Sequence, residues 1–178
     1  MDRIRFPFTP VVPGVSTLWE LNLRTYVKYQ GIPGIYFFCL DTPHRMGNWI
    51  ANNFFHLPYR FSTIEGRANS TDFSFSASGL GYEMGIEGGI TAEAIRDPFQ
   101  KWVTERYHLF LQKGTEAMRG DVIHDPWETL SFRLRRFEGN FAHSLGVPLD
   151  HTPNSIYYAR PIRVRFKPFL NLGKLSTP

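Results

Sequence analysis

The sequence predicts a mainly β (α+β) fold, an antiparallel β-barrel or β-cone with one longer helix. Aromatic residues make up 16% of the 178 residues, 16 of them Phe, and 15 Gly with 13 Pro divide the chain into short segments. Strands are rich in aromatic residues and are bounded by Gly and Pro. Roughly eight such segments and a single long stretch of helical spacing favour an antiparallel barrel or cone over a doubly wound parallel sheet.

The first two strands are predicted over residues 18–29 and 35–40. In the first strand, Glu20, Asn22, Arg24 and Tyr26 alternate with Leu21, Leu23, Thr25 and Val27, so the polar groups share one face. The second strand is continuously apolar, and the turn-rich loop at residues 30–34 indicates an antiparallel hairpin. The polar face is a solvated surface if it meets water, and a candidate site if it lies inside a closed sheet.

A helix is predicted after the second strand. Asp41-Thr42-Pro43 supplies capping side chains and a Pro suited to the first helical position, and apolar residues then recur at helical spacing. They are Met46, Trp49, Ile50 and Phe54. The helix ends at Leu57-Pro58, because a Pro disfavours helical geometry in the residue before it.

The rest of the chain is predicted as short strands. A hairpin is expected over residues 59–65 and 71–78, and the Gly-rich segment 79–90 is expected to be a strand with bulges or tight turns. Its glycine spacing does not match a dinucleotide-binding loop. Asp97-Pro98 caps a short helical turn, and further strands are predicted over residues 103–112, 118–124, 131–137 and 157–166.

Composition bounds the class of protein. The length and the lack of a linker-like stretch predict one domain, residues 1–178. The net charge of +4 is a mild basic excess, and the Arg-rich residues 160–167 fit a solvated strand face better than a nucleic-acid surface. No apolar run approaches the roughly 20 residues that span a bilayer, and a lone Cys39 permits no intramolecular disulfide. We therefore expect a soluble, cytoplasmic protein.

Several kinds of site find no support in the sequence. No Gly-x-Ser-x-Gly elbow occurs, and Cys39 lies in an apolar run without a neighbouring His, which favours a small buried residue over a nucleophile. The six His residues lack the short paired spacings of zinc sites. Neither a metal nor a cofactor is predicted.

Four segments place charged or phenolic groups beside apolar ones, as in the wall of a pocket. They are the opening strand, Leu57-Pro58-Tyr59-Arg60, Thr104-Glu105-Arg106-Tyr107 and His124-Asp125-Pro126-Trp127. Strand alternation would put Glu105 and Tyr107 on an apolar face, where the acid needs a cation such as Arg24 or Arg60. A structural salt bridge explains this pattern as well as a site does.

Together these segments resemble the YqjF-like family of uncharacterised bacterial proteins, a domain of unknown function in the acetoacetate decarboxylase-like superfamily. The resemblance runs in the family's order over most of the chain, and rests on Glu20-Leu21-Asn22-Leu23-Arg24-Thr25-Tyr26-Val27, Pro33-Gly34-Ile35-Tyr36-Phe37-Phe38, Leu57-Pro58-Tyr59, Thr104-Glu105-Arg106-Tyr107 and His124-Asp125-Pro126-Trp127. It implies a β-cone or barrel of the acetoacetate decarboxylase-like type with a central apolar cavity. Relatives carry further residues upstream, so the chain is expected to lack the family's N-terminal strands.

The resemblance also bears on chemistry. The superfamily's decarboxylases place Pro-Lys-Lys where this chain has Pro58-Tyr59-Arg60, and the first of those lysines forms a Schiff base. A phenol cannot form an imine, and no lysine of this chain lies in a comparable segment, so Schiff-base decarboxylation is not expected. Glu20 matches the superfamily's active-site acid.

Three hypotheses about function remain. In the first, the cavity binds a small aromatic or carboxylated metabolite, and the ligand-binding residues are Asn22, Arg24, Tyr26, Arg60, Tyr107 and His124. In the second, the protein is a non-Schiff-base lyase or isomerase, with Glu20 or Glu105 as general base and Tyr59 as an acid strengthened by Arg60. In the third, the polar groups are structural in a truncated, inactive relative. A sheet edge left bare would pair with a second copy, which makes a homo-oligomer a further expectation.

Overall fold

The computed structural model describes residues 19–95, 97–148 and 153–175. The helices in these ranges are α1 (Arg45–Phe55) and α2 (Pro98–Thr104), with a short 3-10 helix at His143–Leu145. The strands are β1 (Leu21–Tyr29), β2 (Ile32–Thr42), β3 (Tyr59–Phe61), β4 (Thr63–Ala68), β5 (Asp72–Gly79), β6 (Tyr82–Ala94), β7 (His108–Lys113), β8 (Glu116–Ile123), β9 (Thr129–Gly139), β10 (Tyr157–Ala159), β11 (Arg165–Phe166) and β12 (Leu170–Lys174).

These strands form two curled sheets. The first has the order β1-β2-β7-β8-β11, with β3 beside β2 and β12 beside β8, and the second has the order β10-β9-β6-β5-β4. Most neighbours are antiparallel, whereas β2 runs parallel to both β3 and β7. The predicted mainly β architecture is confirmed, with the sheets curled into a half-barrel.

The predicted hairpin of β1 and β2 is confirmed, with a tighter turn than expected. Gln30 and Gly31 both have positive φ, of 49° and 82°, which lets two residues connect antiparallel strands. Strand β2 therefore begins at Ile32 rather than at Ile35. A bulge between Leu23 and Arg24 shifts the register, so that Arg24 lies opposite Phe37.

Helix α1 begins later than predicted. Asp41 and Thr42 remain in β2, and the helix starts at Arg45 after His44 as its N-cap residue. Thr42 still orders the first turn, because its hydroxyl accepts from the backbone N–H of His44 at 3.3 Å and donates to Asn48 Oδ1 at 2.5 Å. The end is as predicted, since His56 adopts a left-handed conformation just before Leu57-Pro58.

Two predicted strands prove wrong in extent. The strand expected from residue 103 begins only at His108, because Asp97 accepts from the backbone N–H of Phe99 and Gln100 and starts a helix that continues to Thr104. The strand expected over residues 157–166 is divided into β10, which pairs with β9, and β11, which pairs with β8. Pro161 lies between them, and the chain crosses from one sheet to the other there.

The hairpin expected over residues 59–78 is confirmed in its main part. Strands β4 and β5 pair antiparallel from Thr63 opposite Ser78 to Ala68 opposite Phe73. The preceding residues form β3 instead, and Ser62 separates the two strands. Strand β12 has no counterpart among the predicted elements.

The core lies between the two sheets. Its buried side chains are Cys39, Ile64, Phe75, Ala77, Tyr82 and Phe141, and Leu21 and Leu23 of β1 pack against them. The apolar face predicted for the opening strand is thus the core face.

Neither helix in the described ranges is long and apolar enough to cross a bilayer.

Candidate functional site

A cavity of about 1400 Å³ lies on the other face of the first sheet. Strands β1, β2, β7, β8 and β11 contribute to its wall, and α1 and residues 164–169 flank it. Its aromatic lining consists of Phe37, Phe54, Phe55, Tyr59, Phe61, Trp127, Tyr157, Phe166 and Phe169. Lining of this kind, with few polar groups, is typical of small-molecule sites.

The polar residues of the opening strand lie on this face. Glu20 and Arg24 line the cavity. Asn22 does not reach it directly, because its amide donates to Glu20 Oε1 at 3.1 Å. Tyr26 packs against Trp102 of α2 with ring centroids 4.6 Å apart, and its hydroxyl donates to the Val103 carbonyl at 3.2 Å. Asn22 and Tyr26 therefore position the wall without lining it.

Glu20 and Tyr59 form the polar centre of the cavity. The Tyr59 hydroxyl donates to Glu20 Oε2 at 3.2 Å, although 39 residues separate the two. Burial raises the pKa of Glu20 above its usual value, against the lowering effects of Asn22, Tyr59 and Arg24. Burial, together with the charge of Glu20 and the hydrogen bond to it, also raises the pKa of Tyr59. The carboxyl of Glu20 is therefore protonated more easily than usual, and the phenol of Tyr59 keeps its proton to higher pH than usual.

Arg60 lies on the opposite side of β3 from the cavity. Its guanidinium donates to both carboxylate oxygens of Asp41, with Nε at 2.7 Å and the second contact at 3.0 Å. It therefore neither lines the cavity nor acidifies the phenol of Tyr59, contrary to what the sequence suggested. Adjacent strand residues point to opposite faces, which separates Tyr59 from Arg60.

Asp41 is the polar residue that sequence reasoning missed. Its side chain is 1% exposed and also accepts from Ser62 Oγ at 2.7 Å and from the Tyr82 hydroxyl at 2.6 Å. The hydrogen bond to Asp41 adds to burial in raising the pKa of Tyr82. The clue available in the sequence is an acid at the end of an apolar strand, a pattern that equally fits a helix cap.

A second cluster forms where two predicted segments meet. The Tyr107 hydroxyl donates to Glu105 Oε2, and the backbone N–H of Trp127 donates to Glu105 Oε1 at 3.3 Å. His124 stacks on Tyr107 with centroids 4.7 Å apart, and its ring centroid lies 5.6 Å from that of Trp127. The hydrogen bond from Tyr107 to Glu105 raises the pKa of that phenol to about 12.

This cluster corrects the role expected of Glu105. Its side-chain partners are a phenol and a backbone amide, neither of them Arg24 or Arg60. Glu105 follows α2 as its C-cap residue rather than lying in a strand, which explains the difference. Of this group, His124 and Trp127 line the cavity. Glu105 and Tyr107 do not line it but contact Trp127 and His124, respectively.

Cations outnumber acids around the cavity. Glu20 is the one carboxylate among the described lining residues, and the Arg and Lys side chains are Arg24, Arg45, Arg106 and Lys167. Three of them lie over aromatic rings, since Arg45 is 3.9 Å from the centroid of Phe61, Arg106 is 4.4 Å from that of Trp102, and Arg24 is 5.9 Å from that of Tyr26. In the described residues, none of the four makes an ion pair within 4 Å.

Lys167 is a lysine on the cavity wall that the sequence did not point to. It follows β11, and its backbone N–H donates to the Asp121 carbonyl at 2.9 Å. Lys167 is therefore remote from Tyr59, because Tyr59 of β3 pairs with Leu40 of β2, and β2 is three strands from β11 in the order of the first sheet.

The residues described in the structure include no group of three or more His, Cys, Asp or Glu able to hold a metal ion.

Comparisons with known proteins give a consistent result. The family model described as "DUF2071: Uncharacterized conserved protein" matches residues 1–163. The "Uncharacterized protein YqjF" of Bacillus subtilis (strain 168) is 32% identical over 177 residues, which cover 94% of this chain and 72% of the relative. A solved structure from structural studies of acetoacetate decarboxylase superposes with a TM-score of 0.61 at 12% identity, over 88% of this chain and 69% of the other. At that identity the likeness concerns the fold alone.

Proposed function

The chain belongs to the DUF2071 family, and from the cavity in its acetoacetate decarboxylase-like fold we propose that it binds a small aromatic or carboxylated metabolite. The observation that carries this proposal is the charge imbalance of an otherwise apolar wall. Among the described residues, four Arg and Lys side chains and one carboxyl line the cavity. An anionic group attached to an apolar body complements such a surface.

Arg24 is the cation assigned to the ligand's anionic group. It lies opposite Phe37 in the hairpin, so a carboxylate at Arg24 places an attached ring against Phe37. Burial raises the pKa of Glu20 toward the neutral acid, although the positive charge of Arg24 opposes that rise. A protonated Glu20 donates a hydrogen bond to a ligand oxygen instead of repelling it.

Replacing Arg24 with glutamine is expected to weaken binding of benzoate and phenylacetate by about tenfold or more, the usual effect of losing a charged hydrogen bond. Isothermal titration of the full chain measures this, with benzyl alcohol as a neutral comparison that Arg24→Gln leaves unaffected. Lys28→Gln is the matched control, because Lys28 is an exposed cation on the same strand that does not line the cavity. The proposal is wrong if no acid binds, or if the two substitutions weaken binding equally.

A second candidate function follows from the contact between Glu20 and Tyr59. A carboxyl with a raised pKa in an apolar cavity is suited to take a proton from carbon next to a carbonyl group. Tyr59 then orients the carboxyl, and Arg24 stabilises the enolate. Imine chemistry has no part in this scheme, because the resemblance puts Tyr59 at the position of the superfamily lysine and Lys167 follows β11, three strands from β2 in the order of the first sheet.

Deuterium uptake at the carbon next to the carbonyl of pyruvate and levulinate, followed by NMR, tests the second candidate. Glu20→Gln is expected to reduce the catalysed exchange by about 100-fold, the usual minimum for loss of a general base. Glu65→Gln, which removes an exposed carboxyl on β4, serves as the control. Exchange that is equal with and without the protein, or unchanged in Glu20→Gln, removes this candidate.

A further inference from the structure

The cavity is larger than a single-ring acid requires. Pockets for small molecules usually enclose about 300–1000 Å³. This one measures about 1400 Å³, with α1 and residues 164–169 on its flanks. A ligand the size of benzoate leaves most of that space to water, in contact with apolar side chains.

The cavity is also long. Its lining includes Arg24 of β1, Leu40 of β2, Leu109 of β7, Val122 of β8 and Phe166 of β11, and these strands follow one another across the first sheet. Neighbouring strands lie about 4.8 Å apart, so four steps give a span of roughly 19 Å before curvature shortens it. An extended ligand fits this shape better than a compact one.

Apolar side chains on the wall remain accessible to water. Met46 is 67% exposed, Phe54 65%, Phe166 45% and Phe61 38%, and all four line the cavity. Large exposed apolar residues that share one concave surface indicate a site that an apolar ligand covers. A hydrocarbon chain gains affinity from each methylene that it removes from water.

The polar groups favour one end of this cavity. Glu20, just before β1, and Arg24 of β1 lie at this edge of the sheet, and Glu20 accepts hydrogen bonds from Asn22 and Tyr59. At the other edge, residues 164–169 contribute mainly apolar groups, including Val164, Phe166 and Phe169, with Lys167 as the one cation. The β1 edge therefore offers both charge and hydrogen bonds to a head group.

We propose that the ligand is a medium- to long-chain fatty acid, with its carboxylate at Arg24 and its hydrocarbon chain crossing the sheet toward Phe169. This inference rests on the proposed binding function and names the class of metabolite. Two chemical features of the cavity define the occupant: a cationic edge at β1 and a wide apolar wall beyond it.

A series of saturated acids tests the inference. Butanoate, octanoate, dodecanoate and hexadecanoate are titrated against the full chain below their micelle concentrations. Each buried methylene is expected to raise the affinity by at most about fourfold. Dodecanoate is expected to bind more than about tenfold more tightly than octanoate. Benzoate gives the affinity of a single-ring acid for comparison.

Two substitutions locate the ends of the ligand. Val164→Trp fills the cavity at the far edge, in a segment outside the strand pairing, and is expected to weaken dodecanoate by about tenfold while leaving butanoate within about twofold. Arg24→Gln is expected to weaken every acid of the series, whereas Lys167→Gln is not. The reverse result for these two cations overturns the stated orientation.

The series with the wild-type chain decides the inference even if a substituted chain does not fold. Binding of benzoate with no gain along the fatty-acid series overturns the chain-length inference and leaves the proposed function standing. Equal loss of short and long acids in Val164→Trp also counts against it. Failure of every acid to bind overturns the proposed function itself.

Discussion

Replacing Asp41 with asparagine is expected to lower the free energy of unfolding by about 3–5 kcal/mol, the usual effect of breaking a buried ion pair. Asp41 is 1% exposed and accepts hydrogen bonds from Arg60, Ser62 and Tyr82. Asparagine keeps one acceptor oxygen and turns an N–H₂ donor toward groups that themselves donate. The guanidinium of Arg60, which is 21% exposed, then loses its counter-charge.

Urea denaturation followed by tryptophan fluorescence measures this change. Asp72→Asn is the matched control, because Asp72 also pairs with an arginine, Arg135, at 2.8 Å, but both side chains are about half exposed. Exposed pairs contribute little to stability, so this substitution is expected to leave the denaturation midpoint nearly unchanged. Similar losses for the two variants would mean that burial does not set the strength of the Asp41 pair.

A double substitution separates charge from packing. Arg60→Met removes the cation that Asp41→Asn leaves unpaired, and methionine follows the path of the arginine stem. The combined variant is expected to be more stable than Asp41→Asn alone, because two buried partners removed together cost less than one. A combined loss equal to the sum of the single losses would argue against direct coupling between the two residues.

The parts of the fold that the sequence predicted are those decided by neighbouring residues. Alternation over Glu20–Val27 placed Leu21 and Leu23 on the core face and Glu20 and Arg24 on the other, as the structure has them. The end of α1 at Leu57-Pro58 is a local effect of the same kind. The start of β7 differs from the prediction because the Asp97 cap, also a local feature, begins a helix that continues to Thr104 and not a short turn.

The site was harder to predict, since it depends on contacts between distant residues. Nothing near Asp41 in the sequence shows which residues surround it. Arg60 lies in β3, Ser62 directly follows β3, and Tyr82 begins β6. The position of Arg60 could nevertheless be predicted from the sequence, because Tyr59 and Arg60 are neighbours in a strand and cannot both face one cavity. The pairing of Tyr59 with Glu20 required the parallel contact of β2 with β3, which sequence periodicity does not reveal.

The ionisation of Glu20 is expected to make the protein less stable as the pH rises. Burial raises the pKa of Glu20 in the folded state, so the folded chain holds this proton more tightly than the unfolded chain does. Between the unfolded value of about 4.3 and the higher folded value, the folded state binds more protons. Within that window the Glu20 contribution to the free energy of unfolding falls as pH increases, by at most about 1.4 kcal/mol per pH unit.

Glu20→Gln removes this contribution, because glutamine has no proton to lose. The stability of the wild type relative to Glu20→Gln is therefore expected to be greatest below the unfolded value of about 4.3 and to decline as the pH rises above it, as measured by urea denaturation at each pH. Glu65→Gln, on an exposed position of β4, controls for loss of a carboxyl as such. A constant difference between wild type and Glu20→Gln over this range would show that Glu20 titrates alike in both states. It would also remove the basis for treating Glu20 as the proton donor to a bound carboxylate.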